Sequence, residues 1–371
     1  MVSVFPIEIY EIIISHAPDD PVTLNSLSLA SVAFVPHSQR RLFGVFRTDR
    51  WRHPGQYYPH PNFIKFFDTL LESPHLATYV REFVAPFVPR ATQTSADERW
   101  VSSMLEALPL MVNLKSFSTF NYIWMPELML QALVDCPFRL EELQWNWVVR
   151  KPEQYQTQLM STFLSRQTEI HTLSLKMTPI HIPPEALPNL ISLATTCENM
   201  VAILPGRSSV DTLSCIYIDA ADPDFEPMTP ESPLVAPFNN IKRLCLGVSA
   251  MWLRNMEVYF PSLEVLQTNI EMIRDYQFIA ASFPRLRIIH ITKAAFTNEQ
   301  GMMAKWLYSS LPTLECVIWG QSFSGRSPTS QHTYDCWLRS SLPTVLDAQQ
   351  VHERTGLLFL GRIEPPLASY N

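Results

Sequence analysis

The sequence predicts an α/β chain in two parts, a short helical segment at the N-terminus and then an array of strand-turn-helix units. Three observations predict it. A short motif recurs along residues 79–320 at intervals of 20 to 34 residues. Alternating apolar residues follow several of the copies, as a strand requires. Phe5 to Phe46 has a different grammar, three helical signals parted by prolines.

The motif is a pair of apolar residues three positions apart, often preceded by proline. Its clearest copies are led in by Leu187-Pro188-Asn189-Leu190, Phe260-Pro261-Ser262-Leu263, Phe283-Pro284-Arg285-Leu286 and Leu311-Pro312-Thr313-Leu314, with Leu190, Leu263, Leu286 and Leu314 as the first apolar residues. Looser copies place the first apolar residue at Val80, Leu114, Leu140, Ile170, Val210 and Ile241, with the second at Phe83, Phe117, Leu143, Leu173, Leu213 and Leu244. That makes ten units. A third apolar residue follows two positions later in several of them, as in Leu143-Gln144-Trp145 and Leu173-Ser174-Leu175. Between the strands lie helix signals. Ser95 to Glu98 and Thr297 to Gln300 have capping-box spacing, Pro126 sits where a helix begins, and Trp100, Met104 and Leu108 share a face, as do Trp252, Met256 and Tyr259. Glycine is scarce, at 9 residues, while proline reaches 31, so proline is the punctuation that ends a helix before the next strand.

One such unit cannot bury its own apolar face. Stacked units align their strands into a parallel sheet and pack the helices behind it. An ordinary α/β domain with leucine-proline corners is the alternative. The units resemble leucine-rich repeats, whose pattern is Leu-x-x-Leu-x-Leu with Asn or Cys three residues later. The chain departs from that family at the Asn position, which holds Tyr122, Val148, Thr178, Glu198, Ser249 and Glu271 among others. The resemblance therefore implies an irregular solenoid without a regular asparagine ladder.

In the N-terminal segment, Pro6 is expected at the first position of a helix on which Glu8, Glu11 and Ser15 share one face and apolar residues fill nearly all the rest. A surface helix has an apolar stripe of about 100°, so this one needs cover from more than one side. A second helix, capped by Asp20 ahead of Pro21, carries Leu24, Leu27, Leu29, Val32 and Phe34; a third carries Leu42 and Phe43 and stops at Gly44. Forty-odd residues are too few to bury this surface alone. Phe5-Pro6-Ile7-Glu8-Ile9, the stretch Leu24 to Phe34 and Arg41-Leu42-Phe43 together resemble an F-box, with Phe5 in place of the usual leucine and Ala33 where a basic residue is common.

The resemblance implies a substrate receptor of an SCF-type cullin-RING ubiquitin ligase, of the kind abundant in fungi. Residues 1–46 would dock on a Skp-family adaptor, and through it on cullin and RING subunits, while residues 47–371 form the repeat array and its C-terminal cap. Carried over residue by residue, the docking surface is Phe5, Pro6, Ile9, Ile12, Leu24, Leu27, Leu29, Val32, Phe34 and Phe43. The alternative is a leucine-rich-repeat interaction scaffold outside the ubiquitin system, with the helical segment as its end cap.

On the strands, the residues alternating with the buried ones are expected to face outward and to meet an unidentified target protein: Glu142, Gln144, Asn146, Thr172, Ser174, Lys176, Arg243, Gln267, Asn269, His290 and Thr292. Asp219 to Pro237, acidic and proline-rich, and Gln321 to His332 read as loops between units; Leu342 to Val345 and Leu357 to Leu360 read as a terminal cap.

The remaining features exclude function classes. Hydrophobic residues make up 47% against 17% charged, which suits a folded chain with a large core. A net charge of -7 with no basic stripe argues against nucleic acid. No apolar run spans a bilayer and residues 1–10 lack the pattern of a secretory signal, so the expected setting is cytoplasm or nucleus, without a membrane partner. Six separated cysteines without a CxxC pair are expected to be reduced core thiols. No phosphate-binding loop, nucleophile elbow or zinc-helix motif occurs, and the histidines are scattered. The sequence therefore predicts a non-catalytic adaptor with no cofactor and no metal; an enzyme would need a pocket lined by convergent ionisable groups.

Overall fold

The computed structural model describes residues 6–18, 20–47, 61–85, 95–120, 126–146, 154–176, 180–215, 235–249, 260–269, 273–291, 300–320, 333–339 and 344–357. It has two compact units, Met1–Leu187 and Pro188–Asn371. The first begins with α1 (Ile7–His16), α2 (Pro21–Ala30), a 3-10 turn (Val32–Phe34) and α3 (Val35–Gly44). Strands and helices then alternate: β1 (Val45–Arg47), α4 (Pro61–Glu72), α5 (Pro74–Ala77), β2 (Glu82–Ala85), α6 (Ser95–Ala107), β3 (Ser116–Phe120), α7 (Pro126–Asp135), β4 (Glu142–Asn146), α8 (Gln154–Ser165) and β5 (Thr172–Leu175). Each strand pairs in parallel with the next, from β1 to β5.

The second unit carries β6 (Ser192–Thr195), α9 (Cys197–Ile203), β7 (Thr212–Cys215), α10 (Val235–Phe238), β8 (Arg243–Ser249), β9 (Val265–Asn269), α11 (Ile273–Ser282), β10 (Ile288–Ile291), α12 (Gln300–Ser310) and β11 (Cys316–Gly320). It closes with β12 (Thr333–Leu338), β13 (Thr344–Asp347) and α13 (Ala348–Thr355). Strands β6 to β11 are parallel neighbours in order, and β12 and β13 add as antiparallel strands beyond β11. Among the described residues no helix is long and apolar enough to cross a membrane.

The motif positions define the core. The first apolar residue of every unit, from Val80 to Leu314, is at most 1% exposed. The second forms rows running from strand to strand: Phe46, Phe83, Phe117, Leu143 and Leu173 in the first unit, and Leu193, Leu213, Leu244, Leu266, Ile289 and Val317 in the second. All of these are buried. A side-chain period of two makes a one-residue slip move every core residue to the opposite face, so this pattern sets the register.

In the first row the rings stack. Phe83 lies parallel to Phe46 at 5.2 Å and to Phe117 at 5.6 Å. Behind the strands, Trp100 and Met104 of α6 and Met129, Leu130 and Leu133 of α7 fill the core, and Pro126 opens α7 as expected.

Several details differ from the sequence reading. The sheet starts one strand earlier than the motif count, because Val45–Arg47 pairs with β2; the boundary expected at residue 46 falls inside a strand. Pro6 is the N-cap of α1 rather than its first helical residue. The loop expected to run to Pro237 ends in α10, whose Pro237 is buried. Residues 216–234, the second loop at 321–332 and the apolar set Trp252, Met256 and Tyr259 lie outside the described residues.

A charge ladder at the strand entrances, unread in the sequence, reinforces the register. In the second unit the residue before each strand bonds its backbone to its predecessor, as Lys242 N–H to Asp211 O, Glu264 N–H to Lys242 O, Arg287 N–H to Glu264 O and Glu315 N–H to Arg287 O. Their charges alternate. Arg287 reaches Glu315 at 2.8 Å and Glu264 at 3.5 Å, and its donated hydrogen bond holds the Glu315 carboxyl below its ordinary range. In the first unit Lys115 reaches Glu141 at 3.2 Å and Glu169 at 2.8 Å, but it follows Arg81 along the strand entrances, so the charges there do not alternate. Exposed pairs contribute about 0–1 kcal/mol each, so the ladder adds a little to a register that the apolar rows set. Arg287→Glu is expected to cost on the order of 1 kcal/mol in urea unfolding and to recover part of that in high salt, because screening weakens the new repulsion. A salt-independent loss would show that Arg287 acts through packing.

Candidate functional site

The N-terminal helices are held together by few buried groups. Arg41 of α3 donates from its guanidinium to the carbonyls of Ile14 and Ala17, closing the C-terminal end of α1. Asp20 caps α2 by accepting the Thr23 N–H at 2.9 Å, and those bonds lower its carboxyl from the ordinary value. Ile14 and Leu24 point inward, Tyr10 meets Phe34 edge-on at 5.0 Å, and Phe43 stacks on Phe66 of α4 at 5.8 Å.

Most of the other aliphatic residues on α1, α2 and the 3-10 turn are open, Leu27 being half-buried. Ile7, Ile9, Ile12, Ile13 and Val22 are exposed, and Leu29 and Val32 are 88% and 86% exposed. Of the ten expected docking residues, Pro6, Ile9, Ile12, Leu29 and Val32 are exposed, Leu27, Phe34 and Phe43 are half-buried, and Leu24 is buried. Phe5 lies outside the described residues. The helices thus meet the rest of their unit along one side only, whereas the sequence alone left open whether the first repeats cover them.

The strand face opposite the core is less open than expected. In the first unit Glu142 and Gln144 are half-buried, Glu142 accepting a hydrogen bond from Ser116 Oγ at 3.3 Å, and Lys176 is half-buried. Thr172 and Ser174 are buried instead of facing solvent. Neighbouring strands lie about 4.8 Å away on each side, a spacing that encloses a small side chain and leaves a long one emergent. In the second unit Arg243 is half-buried and paired with Asp211 at 3.1 Å, Gln267 is half-buried, and His290 is 1% exposed. The side chains of Asn146 and Asn269, and all of Thr292, lie outside the described residues.

His290 is covered by the C-terminal elements. By register it lies on the same face as Cys316 and Ile318, and its ring meets Tyr334 of β12 edge-on at 5.5 Å. Burial pushes its imidazole down to about 4. On that face Cys316, Ile318, Cys336, Leu346 and Val351 of α13 form an apolar cluster, with Ile288, Tyr334 and Leu338 packed against it. Helix α13 starts with a capping box between Asp347 and Gln350 and ends at Gly356 in the left-handed region, φ 60°. A Cβ at Gly356 would lie 2.7 Å from Arg243 Nε, so the end of α13 abuts β8. The expected outward polar row of this unit is therefore partly roofed by its own C-terminal helix.

No protein-family description and no curated protein matches this sequence. Among solved structures the chain is similar to the leucine-rich repeat-containing protein LegL7 from Legionella pneumophila, at 12% identity over 72% of this chain and 88% of that one, with TM-score 0.38. It is also similar to a protein from Bacteroides fragilis, at 13% identity over 70% and 72% of the two chains, with TM-score 0.37. The architecture rests on the strand register and not on these likenesses.

The roof had a signal in the sequence. Ile288-Ile289-His290-Ile291 and Cys316-Val317-Ile318-Trp319 are apolar at both parities, whereas Glu142-Leu143-Gln144-Trp145 alternates. A strand that is apolar on both faces is covered on both faces. Among the described residues no cluster of three or more His, Cys, Asp or Glu is arranged to hold a metal ion.

Proposed function

We propose that this chain is the substrate-recognition subunit of an SCF-type cullin-RING ubiquitin ligase, a non-catalytic adaptor working in the cytoplasm or nucleus. Its N-terminal helices bind a Skp-family adaptor, and through it cullin and RING subunits. Its repeats bind a target protein, with Glu142, Gln144 and Lys176 as the first-unit residues that emerge from the strand face. The observation that carries the reading is the uncovered aliphatic surface of α1, α2 and the 3-10 turn, which includes Ile9, Ile12, Leu29 and Val32 of the F-box-like pattern. An end cap of a repeat array turns a polar face outward; this segment turns isoleucine, valine and leucine outward. Such patches mark interaction sites, since burying one such side chain gains about 1.5–3 kcal/mol.

The second reading, a repeat interaction scaffold outside the ubiquitin system, shares the strand face but predicts no adaptor binding. Capture of the full chain by purified Skp-family adaptor separates the two. Wild type is expected to be retained, and Ile12→Asp/Leu29→Asp is expected to weaken retention by more than about tenfold, a loss of at least about 1.4 kcal/mol. Both positions are exposed, so the variant's melting temperature should stay close to wild type. Absence of wild-type capture would leave the scaffold reading.

A further inference from the structure

Cys316 on β11 and Cys336 on β12 are diagonal neighbours across an antiparallel pair, Cys316 opposite Leu338 and Ile318 opposite Cys336. Their sulfurs are 3.1 Å apart in a buried apolar cluster. The arrangement is asymmetric. Arg354 of α13 points its guanidinium at Cys336 Sγ, 3.8 Å away, and Cys316 and Thr344 also hydrogen-bond that sulfur. These donors hold the Cys336 thiol down at about 7, chiefly through Cys316, while the same contact and burial push Cys316 up. Cys136 and Cys245, by contrast, are raised by burial, to about 12 and about 11.

We propose that Cys316 and Cys336 form a redox-active dithiol that closes to a disulfide on exposure to peroxide, and that closure releases Arg354 and so loosens α13 on the strand face. Cys336 is the nucleophile. Its thiolate attacks one oxygen of hydrogen peroxide, the O–O bond breaks, and the departing hydroxide takes a proton to become water, leaving Cys336 as sulfenic acid. Cys316 then attacks the Cys336 sulfur; the S–O bond breaks and hydroxide leaves with the Cys316 proton as a second water. Two thiols lose two electrons in all, and one peroxide gains them.

Closing the sulfurs from 3.1 Å to a bond of about 2 Å requires only a small approach of β12 to β11. Cys336 is fully buried and Cys316 is 3% exposed, so peroxide reaches them through transient local opening of the cluster. Once the disulfide forms, Arg354 has no anion to hold, and α13 keeps only its apolar seat through Val351. Oxidation would thereby weaken the cover that α13 gives the strand face.

The test uses the full chain treated with hydrogen peroxide, followed by intact mass and non-reducing peptide mapping. The expected result is a mass lower by about 2 Da and a cross-link joining Cys316 to Cys336, reversed by dithiothreitol. Cys316→Ser should leave Cys336 trappable as sulfenic acid by dimedone, and Cys336→Ser should leave Cys316 unlabelled. Oxidation that stops at other cysteines, or that carries this pair to sulfinic acid without a cross-link, would overturn the proposal. Amide exchange across residues 348–357 should rise after oxidation; a cross-linked chain with unchanged exchange there would overturn the loosening of α13.

Discussion

Phe83→Ala is expected to destabilise the first unit by about 3–5 kcal/mol in urea unfolding, the range for a buried phenylalanine truncated in a core that relaxes only in part. Phe83 has no exposed surface. Its ring lies between those of Phe46 and Phe117 in a column that continues to Trp145, and Phe67 of α4 closes one side at 5.9 Å. Truncation would leave a cavity open to three rings, and each lost aromatic pair adds about 0.5–1.5 kcal/mol to the transfer term. A domain is stable by only about 5–15 kcal/mol, so this residue accounts for a large share. Phe83→Leu keeps most of the volume and should cost less, about 1–2 kcal/mol. Equal, small effects of both substitutions would show that the column relaxes around the gap and that the stacked row is not what fixes β1 to β3.

Acid should destabilise the second unit through His290. Its folded-state value of about 4 lies below the ordinary value near 6.5 of the unfolded chain. Above that ordinary value both states are neutral at this residue and stability is untouched. As pH falls, the unfolded chain takes up the proton while the buried ring does not, so stability is lost progressively until the folded-state value is reached. A depression of this size corresponds to on the order of 3 kcal/mol over the window. The measurement is urea unfolding at about pH 7.5 and about pH 4.5 for wild type and His290→Gln. Carboxylates contribute alike to both proteins, so the variant's loss on acidification should be smaller. If the two losses match, His290 is solvated in solution and α13 does not seal the face above it.

Both predictions concern positions that the sequence treated differently. Phe83 was legible, because a period of two and a recurring corner are local properties: an apolar residue three positions after another, following a proline turn, has one way to sit in a stacked strand. Thus Val80, Leu114, Leu140 and their successors were placed in the core from spacing alone, and the structure buries them all. The helix at Pro126 and the cap at Asp20 were legible for the same reason, since capping depends on residues within one turn.

The opposite face was not. Alternation assigns His290 and Arg243 to the side away from the core, and the register agrees, but alternation is silent on what comes to rest there. The covering helix α13 arrives from more than 50 residues beyond His290, and its docking depends on the antiparallel turn-back of β12 and β13. Burial of His290 beneath Tyr334, and the meeting of Cys316, Cys336 and Arg354, are products of that return.

The N-terminal segment divides in the same way. Its helices, their caps and their excess of aliphatic side chains are written in Phe5 to Phe46. Whether that excess would be covered was decided by tertiary packing, which uses Ile14, Leu24, Phe34 and Phe43 and leaves Ile7, Ile12, Leu29 and Val32 outside. Sequence by itself determined the units, their strand register and the side of each strand that is apolar, because those follow from contacts a few residues apart. Only the tertiary structure decided which apolar and polar faces are covered, because cover is supplied by elements distant in the chain.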